Sequence, residues 1–260
     1  MSNDNPIGIF DSGVGGLSIW KEIHQLFPCE STIYLADSKH APYGEKSKQT
    51  IIDLCIKNTE LLLSKGCKLI VIACNTATTN AIEYLRAHYD VPFIGIEPAI
   101  KPAALQTKTK KIGVLATKGT LSSQLFNSTT ELYADDIEII EQVGTGLVTL
   151  IENGKLNSPE TVLLLEKYLQ PMIVNNIDYL VLGCTHYPFL IPQIQKILPQ
   201  HITIIDSGEA VAKQTLRRLQ AHELKNSCAI KNTHLFFSNT NIEVMQSLLK
   251  EVYVAQYLDF

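Results

Sequence analysis

Two pairs of stretches in the sequence repeat each other, and this repetition limits the folds open to the chain. KLIVIACNT at 68–76 aligns without gaps with DYLVLGCTH at 178–186. PIGIFDSGVGG at 6–16 aligns with KIGVLATKGT at 111–120, in the same order and at nearly the same spacing. Any two buried strands look somewhat alike, but two matched pairs in one order favour an internal duplication.

Each repeated stretch is a run of apolar residues followed by a small polar turn, which is typical of a buried parallel strand that leads into a helix. Similar runs alternate with longer helical patterns along the whole chain, and this alternation predicts an α/β fold with mostly parallel sheets. The predicted strands are 6–10, 32–36, 68–74, 92–96, 111–116, 137–142, 178–184, 202–206 and 234–238. The predicted helices are 16–27, 46–65, 77–89, 121–133, 159–175, 189–198, 208–223 and 241–249.

The duplication predicts two similar α/β domains related by a pseudo-twofold repeat. We expect residues 1–98 together with 208–260 to form the first domain and residues 99–207 to form the second. Ligands of open parallel sheets bind beyond the carboxyl ends of the strands. The active site is therefore expected in the cleft between the two domains.

The composition indicates a globular protein that binds neither nucleic acid nor membrane. Of the 260 residues, 45% are hydrophobic and 18% are charged, and the formal net charge is −4. An acidic chain without a basic block is a poor partner for phosphates, and its apolar runs are far shorter than the roughly 18 residues of a membrane span. The polar start MSNDNP has no secretory pattern, so we expect a cytoplasmic protein.

The two cysteines of the repeat are the strongest candidates for chemistry. Cys74 and Cys184 each follow a buried strand and precede a polar turn that should open a helix, at equivalent positions of the two halves. The helix dipole favours a thiolate at such a position, and the two sulphur atoms would face each other across the cleft. The other cysteines have no CxxC spacing and no matched context, so we interpret them as packing or surface residues: Cys29, Cys55, Cys67 and Cys228.

Polar residues also gather at the predicted strand ends, where loops held by a rigid sheet usually carry function. The glycine-rich DSGVGG offers backbone N–H groups to an anion, although such a turn is equally a tight connection and its aspartate equally a helix cap. The other polar clusters allow the same two interpretations. The clusters are Asp11-Ser12-Gly13, Asp37 with the loop to Tyr43-Gly44, Asn75-Thr76, Thr117 to Thr120, and Thr185-His186.

Five motifs, DSGVGG, PYGEKS, ACNTAT, LATKGT and GCTHYP, occur in an order and at separations that resemble the bacterial glutamate racemases of the aspartate/glutamate racemase family. The resemblance covers essentially the whole chain. It implies two α/β domains, glutamate as a small-molecule substrate, and a racemisation that needs neither a cofactor nor a metal. It also implies a homodimer that supplies D-glutamate for peptidoglycan.

The resemblance further implies roles for individual residues. Cys74 and Cys184 correspond to the catalytic thiols, and Asp11 and His186 to the polar partners that tune them. The residues expected to support the site are Glu152, Thr117 and Thr120, and the match at Glu152 is the looser one. The substrate contacts are expected at Asp11, Ser12, Tyr43, Gly44, Asn75, Thr76, Thr185 and His186.

Two features depart from the pattern that the resemblance suggests. His40 stands in DSKHAPYG where many members carry arginine, which leaves the contribution of this loop to binding or dimer contacts open. Racemases that a cell-wall precursor activates resemble this chain but carry an N-terminal extension. We therefore expect no such activation here.

Several alternatives remain open on the residues alone. Aspartate is a second candidate substrate, because strand-end motifs do not measure the depth of a pocket. A non-catalytic amino-acid-binding protein would use the same frame, yet it needs hydrogen-bond donors and not paired thiols. A thiol–disulfide oxidoreductase would use the cysteines but leave the substrate motifs without a role. A metal site on Cys184 and His186 has no second pair of ligands to support it.

Overall fold

The computed structural model describes residues 4–133, 136–226, 232–250 and 252–260, and this part of the chain folds into alternating strands and helices. The strands are β1 (Ile7–Asp11), β2 (Thr32–Ala36), β3 (Leu69–Ile72), β4 (Phe93–Ile94), β5 (Lys111–Ala116), β6 (Glu138–Val143), β7 (Tyr179–Gly183), β8 (Thr203–Ile205), β9 (His234–Ser238) and β10 (Ala255–Tyr257). The helices are α1 (Leu17–Leu26), α2 (Lys48–Ser64), α3 (Asn75–His88), α4 (Ile100–Gln106), α5 (Lys118–Leu121), α6 (Gln124–Glu131), α7 (Leu147–Glu152), α8 (Pro159–Val174), α9 (Ile191–Ile197), α10 (Gly208–Ala221) and α11 (Glu243–Leu249). None of the helices in these ranges is both long and apolar enough to cross a membrane.

The strands form two separate parallel sheets. The larger sheet has the order β10-β9-β2-β1-β3-β4, and the smaller has the order β6-β5-β7-β8. Every strand pairing among the described residues is parallel. The units β2-β1-β3-β4 and β6-β5-β7-β8 share one strand order, which confirms the predicted α/β fold with two similar parallel sheets.

The equivalent central strands bring the repeated motifs to the same edge of each sheet. β1 lies beside β3, with Ile9 level with Val71. β5 lies beside β7 in the same way, with Val114 level with Val181. The polar turns that follow these strands therefore meet in pairs at the carboxyl ends.

All nine predicted strands are present, with ends that differ by at most two residues. The sequence pattern misses β10, an edge strand of three residues. It also misses α4, α5 and α7, which contain seven, four and six residues. Segments this short do not complete enough turns or alternations to show a period.

The two halves share a hydrophobic core and a hydrogen bond where the chain crosses between them. One cluster of buried residues includes Ile9 of the first sheet and Leu115 of the second. The chain passes between the halves near Glu97 and again near Ser207, whose hydroxyl donates to the carbonyl of Glu97. These contacts hold the two halves against each other.

An aromatic cluster fixes the last part of the chain to the first sheet. Trp20 of α1 stacks on His24 with 5.1 Å between ring centroids. His24 Nε2 lies 2.9 Å from the Tyr253 hydroxyl, and His234 Nδ1 lies 2.9 Å from the Thr32 hydroxyl. Burial lowers the pKa of His24, and burial together with the neighbouring His24 lowers the pKa of His234 to about 4. Both rings are therefore neutral at pH 7.

The cysteines outside the repeat differ from one another. Cys55 and Cys67 are free thiols buried in the core of the first half, as expected of packing residues. Cys29 is disulfide-bonded, so its interpretation as a plain packing or surface residue is wrong. Cys228, for which the same role was expected, lies outside the described residues.

Candidate active site

A narrow cleft lies where the carboxyl ends of the two sheets face each other. Cys74 on one side and Cys184 on the other are only 5% and 6% exposed, so the cleft is almost closed to solvent. Of the predicted substrate contacts, Asp11 alone does not line it. The lining residues are Ser12, Pro42, Tyr43, Gly44, Cys74, Asn75, Thr76, Thr117, Val148, Gly183, Cys184, Thr185 and His186.

Cys74 is the residue that caps the start of α3. Its sulphur accepts a hydrogen bond from the backbone N–H of Ala77 at 3.5 Å, and the thiol donates to Ser12 Oγ at 3.6 Å. Burial and the nearby charge of Asp11 raise the pKa of the Cys74 thiol well above its ordinary value, despite these hydrogen bonds. The expectation that the helix start favours the thiolate here is therefore wrong for the closed cleft, because burial removes more solvation than the helix supplies.

Asp11 lies behind the cleft and joins the two halves. Its Oδ1 accepts from the backbone N–H of Ser12 at 2.6 Å, and its Oδ2 accepts from the N–H of Gly16 at 2.5 Å. Oδ2 also accepts from the hydroxyl of Thr185, in the other half, at 3.2 Å. Burial raises the pKa of Asp11, and the opposing charge of His186 does not cancel this effect. Asp11 thus orders the DSGVGG turn and contributes negative charge beside Cys74.

His186 links the second cysteine to a carboxylate. Its Nδ1 lies 3.8 Å from the sulphur of Cys184, and its Nε2 lies 2.5 Å from Glu152 Oε1. Burial lowers the pKa of His186, but the hydrogen bonds to Cys184 and Glu152 outweigh it and raise this pKa well above its ordinary value. The ring is therefore an imidazolium at neutral pH, and its positive charge attracts negative charge at the neighbouring sulphur.

Glu152, at the end of α7, receives hydrogen bonds from both halves. Its Oε1 accepts from the backbone N–H of Val14 at 2.7 Å as well as from His186, and its Oε2 accepts from the Ser38 hydroxyl at 2.7 Å. Burial raises the pKa of Glu152, but these hydrogen bonds and the charge of His186 outweigh it and lower the pKa below its ordinary value. The loosely matched acidic residue of the sequence is thus an ionised carboxylate in contact with the predicted His186.

Gly13 and Gly15 of DSGVGG are required because side chains from the other half lie directly against them. A Cβ on Gly13 would stand 2.0 Å from Glu152 Oε1, and a Cβ on Gly15 would stand 2.2 Å from His186 Nδ1. Real side chains do not tolerate such contacts. The motif therefore serves close packing across the cleft in addition to ordering the start of α1.

Asn75 carries the polar side chain in the cleft that is most available to a ligand. It is 2% exposed, and neither its Oδ1 nor its Nδ2 has a hydrogen-bond partner within the protein. A buried amide without partners costs free energy unless a ligand or water satisfies it. Asn75 is therefore poised to bind a polar group within the cleft.

Three threonine hydroxyls close one side of the cleft across the two halves. Thr76 Oγ1 lies 2.7 Å from Thr117 Oγ1 and 3.3 Å from Thr120 Oγ1. Thr117 and Thr120 lie 3.0 Å apart, so the three form a triangle. Thr117 reaches the cleft, whereas Thr120 is fully buried behind it.

Tyr43 is held by a polar network that the sequence reveals only in part. Its hydroxyl donates to Asp37 Oδ2 at 2.5 Å, and His40 Nδ1 lies 2.6 Å from Asp37 Oδ1. Asn239 Nδ2, from the turn after β9, donates to the same Oδ1 at 2.5 Å. His40 therefore belongs to the support of the loop and does not line the cleft.

Sequence reasoning missed Asn239 as a supporting residue and included Ser38 only as part of the loop from Asp37 to Gly44. Both are single polar residues in loops, and their partners lie 114 and 202 residues away along the chain. Ser38 follows Asp37 directly in the 3-10 turn Ser38–His40, which is the only local signal for it. In the described ranges, no group of three or more His, Cys, Asp and Glu residues is arranged to hold a metal ion.

The chain matches known families over most of its length. The family described as Asp/Glu/hydantoin racemase matches residues 7–215. A glutamate racemase from Ectopseudomonas mendocina is 47% identical over 245 residues, which cover 94% of this chain and 93% of that protein. A glutamate racemase from Ralstonia pickettii is 46% identical and covers 98% of this chain and 91% of that protein.

Solved structures agree with the sequence relatives. Escherichia coli glutamate racemase in complex with L-glutamate and the activator UDP-MurNAc-Ala superimposes with a TM-score of 0.84 at 32% identity, covering 94% of this chain and 93% of that one. Francisella tularensis glutamate racemase in complex with D-glutamate gives a TM-score of 0.83 at 29% identity, covering 98% of each chain. An aspartate racemase from Picrophilus torridus, at 20% identity and a TM-score of 0.58, shares the fold alone.

Proposed function

The chain belongs to the Asp/Glu/hydantoin racemase family, and from this premise we propose that it is an isomerase that interconverts L- and D-glutamate without a cofactor. The observation that carries the proposal is the pair of buried cysteines, Cys74 and Cys184, which follow equivalent strands of the two halves and line one cleft. Racemisation removes an α-proton from one face of the substrate and returns a proton to the other face. Two opposed thiols suit this task, because neither group has to move around the substrate.

The proton path that we propose uses one thiolate and one thiol at a time. The thiolate takes the α-proton, and the opposite thiol gives its proton to the other face of the resulting carbanion. After each turnover the protonation states of Cys74 and Cys184 are exchanged. Proton exchange with solvent returns them to the starting state, and the reverse reaction proceeds from the exchanged state. Burial makes the Cys74 thiolate a stronger base than it is in water, which helps it to remove a weakly acidic α-proton.

The charged groups beside the two thiols of the cleft differ. The raised pKa of Cys74 keeps that residue a thiol. The imidazolium of His186, 3.8 Å from the Cys184 sulphur, favours negative charge on the other side. The two thiols therefore have neighbours of opposite charge, Asp11 beside Cys74 and His186 beside Cys184.

Polar groups of both halves are positioned to hold the amino-acid substrate. The unpartnered amide of Asn75 and the hydroxyls of Ser12 and Thr185 line the cleft beside the thiols. Such donors bind a carboxylate and also stabilise the negative charge that develops on it when the α-proton leaves. Tyr43 and Gly44 add a third wall to the cleft.

Glutamate is favoured over aspartate as the substrate because the close relatives over nearly the whole chain are glutamate racemases. A non-catalytic binding protein is disfavoured, since binding explains the donors but not two buried thiols at equivalent positions. A thiol–disulfide oxidoreductase would likewise leave Asn75 without a role.

The proposed cellular role is the supply of D-glutamate for peptidoglycan in the bacterial cytoplasm, by a homodimer. We also propose that residues 1–98 with 208–260 form the first domain and residues 99–207 the second. The membership of the sheets supports this division, because β9 and β10 join the first sheet and β5 to β8 form the second.

The decisive experiment is to incubate the purified protein with L-glutamate and, separately, with L-aspartate in D₂O without added cofactor. We expect deuterium at Cα of glutamate together with the D-enantiomer, and much slower exchange with aspartate. Cys74→Ser and Cys184→Ser should each abolish racemisation, whereas the buried Cys55→Ser serves as the matched control and should retain it. Absence of exchange with both substrates would refute the proposal.

A further inference from the structure

Ser38 is the residue of the first half whose side chain contacts Glu152, the carboxylate on the Cys184 side of the cleft. Ser38 lies in the 3-10 turn after β2, and its Oγ donates to Glu152 Oε2 at 2.7 Å. Glu152 itself lies in α7 of the second half, and the sheet that carries His186 also belongs to the second half. The contact therefore joins the two halves at Glu152, which is itself hydrogen-bonded to His186.

The two oxygens of Glu152 have different partners. Oε1 accepts from His186 Nε2 at 2.5 Å and from the Val14 N–H at 2.7 Å. Oε2 accepts from Ser38 Oγ, and Ser38 is its one hydrogen-bond donor among the described residues. Loss of this hydroxyl would leave a largely buried carboxylate oxygen without a donor, which weakens the ionised form. A weaker negative charge on Glu152 in turn holds the proton of His186 less firmly.

Ser38 is itself held firmly by its neighbours. The adjacent Asp37 is 2% exposed and accepts hydrogen bonds from Tyr43 and Asn239. The backbone N–H of Lys39 donates to Asn239 Oδ1 at 2.9 Å. The hydroxyl is thus presented to Glu152 from a fixed turn and not from a freely moving loop.

We propose that Ser38 is a positioning residue for one of the two proton transfers. It orients and stabilises the Glu152 carboxylate across the closed cleft, and through Glu152 it fixes the proton-bearing His186 beside Cys184. Among the described residues, the hydrogen bonds that lead from the Ser38 hydroxyl through Glu152 reach Cys184 and not Cys74. The proposal rests on the proposed racemase function, and it predicts an effect that differs between the two thiols.

An elimination reaction separates the two transfers, because it needs only the first deprotonation. In a glutamate that carries chlorine at Cβ, removal of the α-proton by a thiolate lets the C–H electron pair form a Cα–Cβ double bond as chloride leaves. The enamine product tautomerises to an imine, which water hydrolyses to 2-oxoglutarate and ammonia. The serine variants assign one enantiomer to each thiol. Cys74 serves the enantiomer whose elimination is lost in Cys74→Ser, and Cys184 serves the one whose elimination is lost in Cys184→Ser.

The test compares Ser38→Ala and Ser38→Thr with the parent on both chlorinated enantiomers. We expect Ser38→Ala to slow the Cys184-dependent elimination about tenfold, as suits the loss of one hydrogen bond to a charged group. The Cys74-dependent elimination should stay within about twofold, and Ser38→Thr should restore the slowed one. Ser247→Ala, at an exposed serine of α11, is the control that should change neither. Equal slowing of both eliminations, or no slowing of either, would overturn the assignment.

A second measurement decides the matter without turnover. In a pH titration, the ¹⁵N signals of His186, assigned by their absence in His186→Gln, should change to those of neutral imidazole at a lower pH in Ser38→Ala than in the parent, and at the parent's pH in Ser38→Thr. A titration of His186 in Ser38→Ala at the same pH as in the parent would overturn the proposal. If the parent neither exchanged the α-proton of glutamate nor eliminated chloride from either enantiomer, the racemase function would fail, and the His186 signals would still decide the role of Ser38.

Discussion

His186 and Glu152 form a buried ion pair in which Nε2 and Oε1 lie 2.5 Å apart. Their side chains are only 2% and 12% exposed, so little solvent screens the attraction. The pair raises the pKa of His186 and lowers the pKa of Glu152. The proton between them therefore belongs to the histidine, where it is available to the side of the cleft that holds Cys184.

Replacement of Glu152 by glutamine should show how much this ion pair contributes to the rate of racemisation. Glu152→Gln keeps the size of the side chain but removes its charge, so the pKa of His186 should fall and less imidazolium should face Cys184. We expect kcat/KM for racemisation to drop about 10- to 100-fold, as befits a charged hydrogen bond. Steady-state kinetics by circular dichroism checks this, with the exposed Glu166→Gln as the control. Unchanged kinetics in Glu152→Gln would show that the pair is only structural.

The two thiols can be predicted from the sequence because short local patterns identify them. Cys74 and Cys184 each end a buried strand, and the repeat aligns them without any knowledge of the fold. A parallel sheet then brings strand ends together wherever its strands pair, so the location of the cleft follows from the fold class. This is why the lining of the cleft includes most of the residues expected there.

The partners of those residues are harder to predict, because they depend on how the two halves pack. Glu152 and His186 are 34 residues apart, and Val14 and Glu152 are 138 apart. No periodicity encodes such pairs. The pKa of Cys74 illustrates the same limit. A helix start suggests a lower value, but the burial and the nearby Asp11 charge that packing produces raise it.

Replacement of Asn75 should weaken substrate binding without lowering the free energy of unfolding. Because its amide is buried without a partner in the protein, Asn75→Ala removes an unsatisfied group and should leave the free energy of unfolding equal to that of the parent or about 1 kcal/mol higher. The Kd for glutamate should rise about tenfold or more. Thermal melts with and without D-glutamate measure both effects, since the ligand should raise the Tm of the parent far more than that of the variant. A variant less stable than the parent without ligand would contradict this account.

Gly15 should not tolerate even a methyl group. A Cβ there would stand 2.2 Å from His186 Nδ1, so Gly15→Ala must displace the imidazole from Cys184 or open the cleft. We expect racemisation to fall at least about 100-fold, because a misplacement of about 1 Å near the chemistry has a cost of this size. Gly66→Ala offers a contrast, since the space around Gly66 is open; its positive φ of 79° should cost stability and leave kcat unchanged. Near-parent activity in Gly15→Ala would show that His186 does not need its position.

The cluster around His24 and His234 should make the protein sensitive to mild acid. The pKa of His234 is about 4 in the folded protein, against an ordinary value of 6.5, and burial lowers the pKa of His24 in the same direction. Between these values the unfolded chain binds a proton that the folded protein does not, so stability falls as the pH drops from about 6.5 to about 4.

A non-titrating residue at position 234 should remove part of this dependence. His234→Gln can still reach the Thr32 hydroxyl, which lies 2.9 Å from His234 Nδ1. Allowing for the partial exposure of the ring, we expect the loss of stability between pH 7 and pH 5 to shrink by about 1 kcal/mol, or ~2–4 °C in Tm. Thermal melts at the two pH values measure the difference, and His201→Gln, at an exposed histidine outside the cluster, should behave like the parent. If His234→Gln lost as much stability in acid as the parent, the acid sensitivity would have to come from groups outside the aromatic cluster.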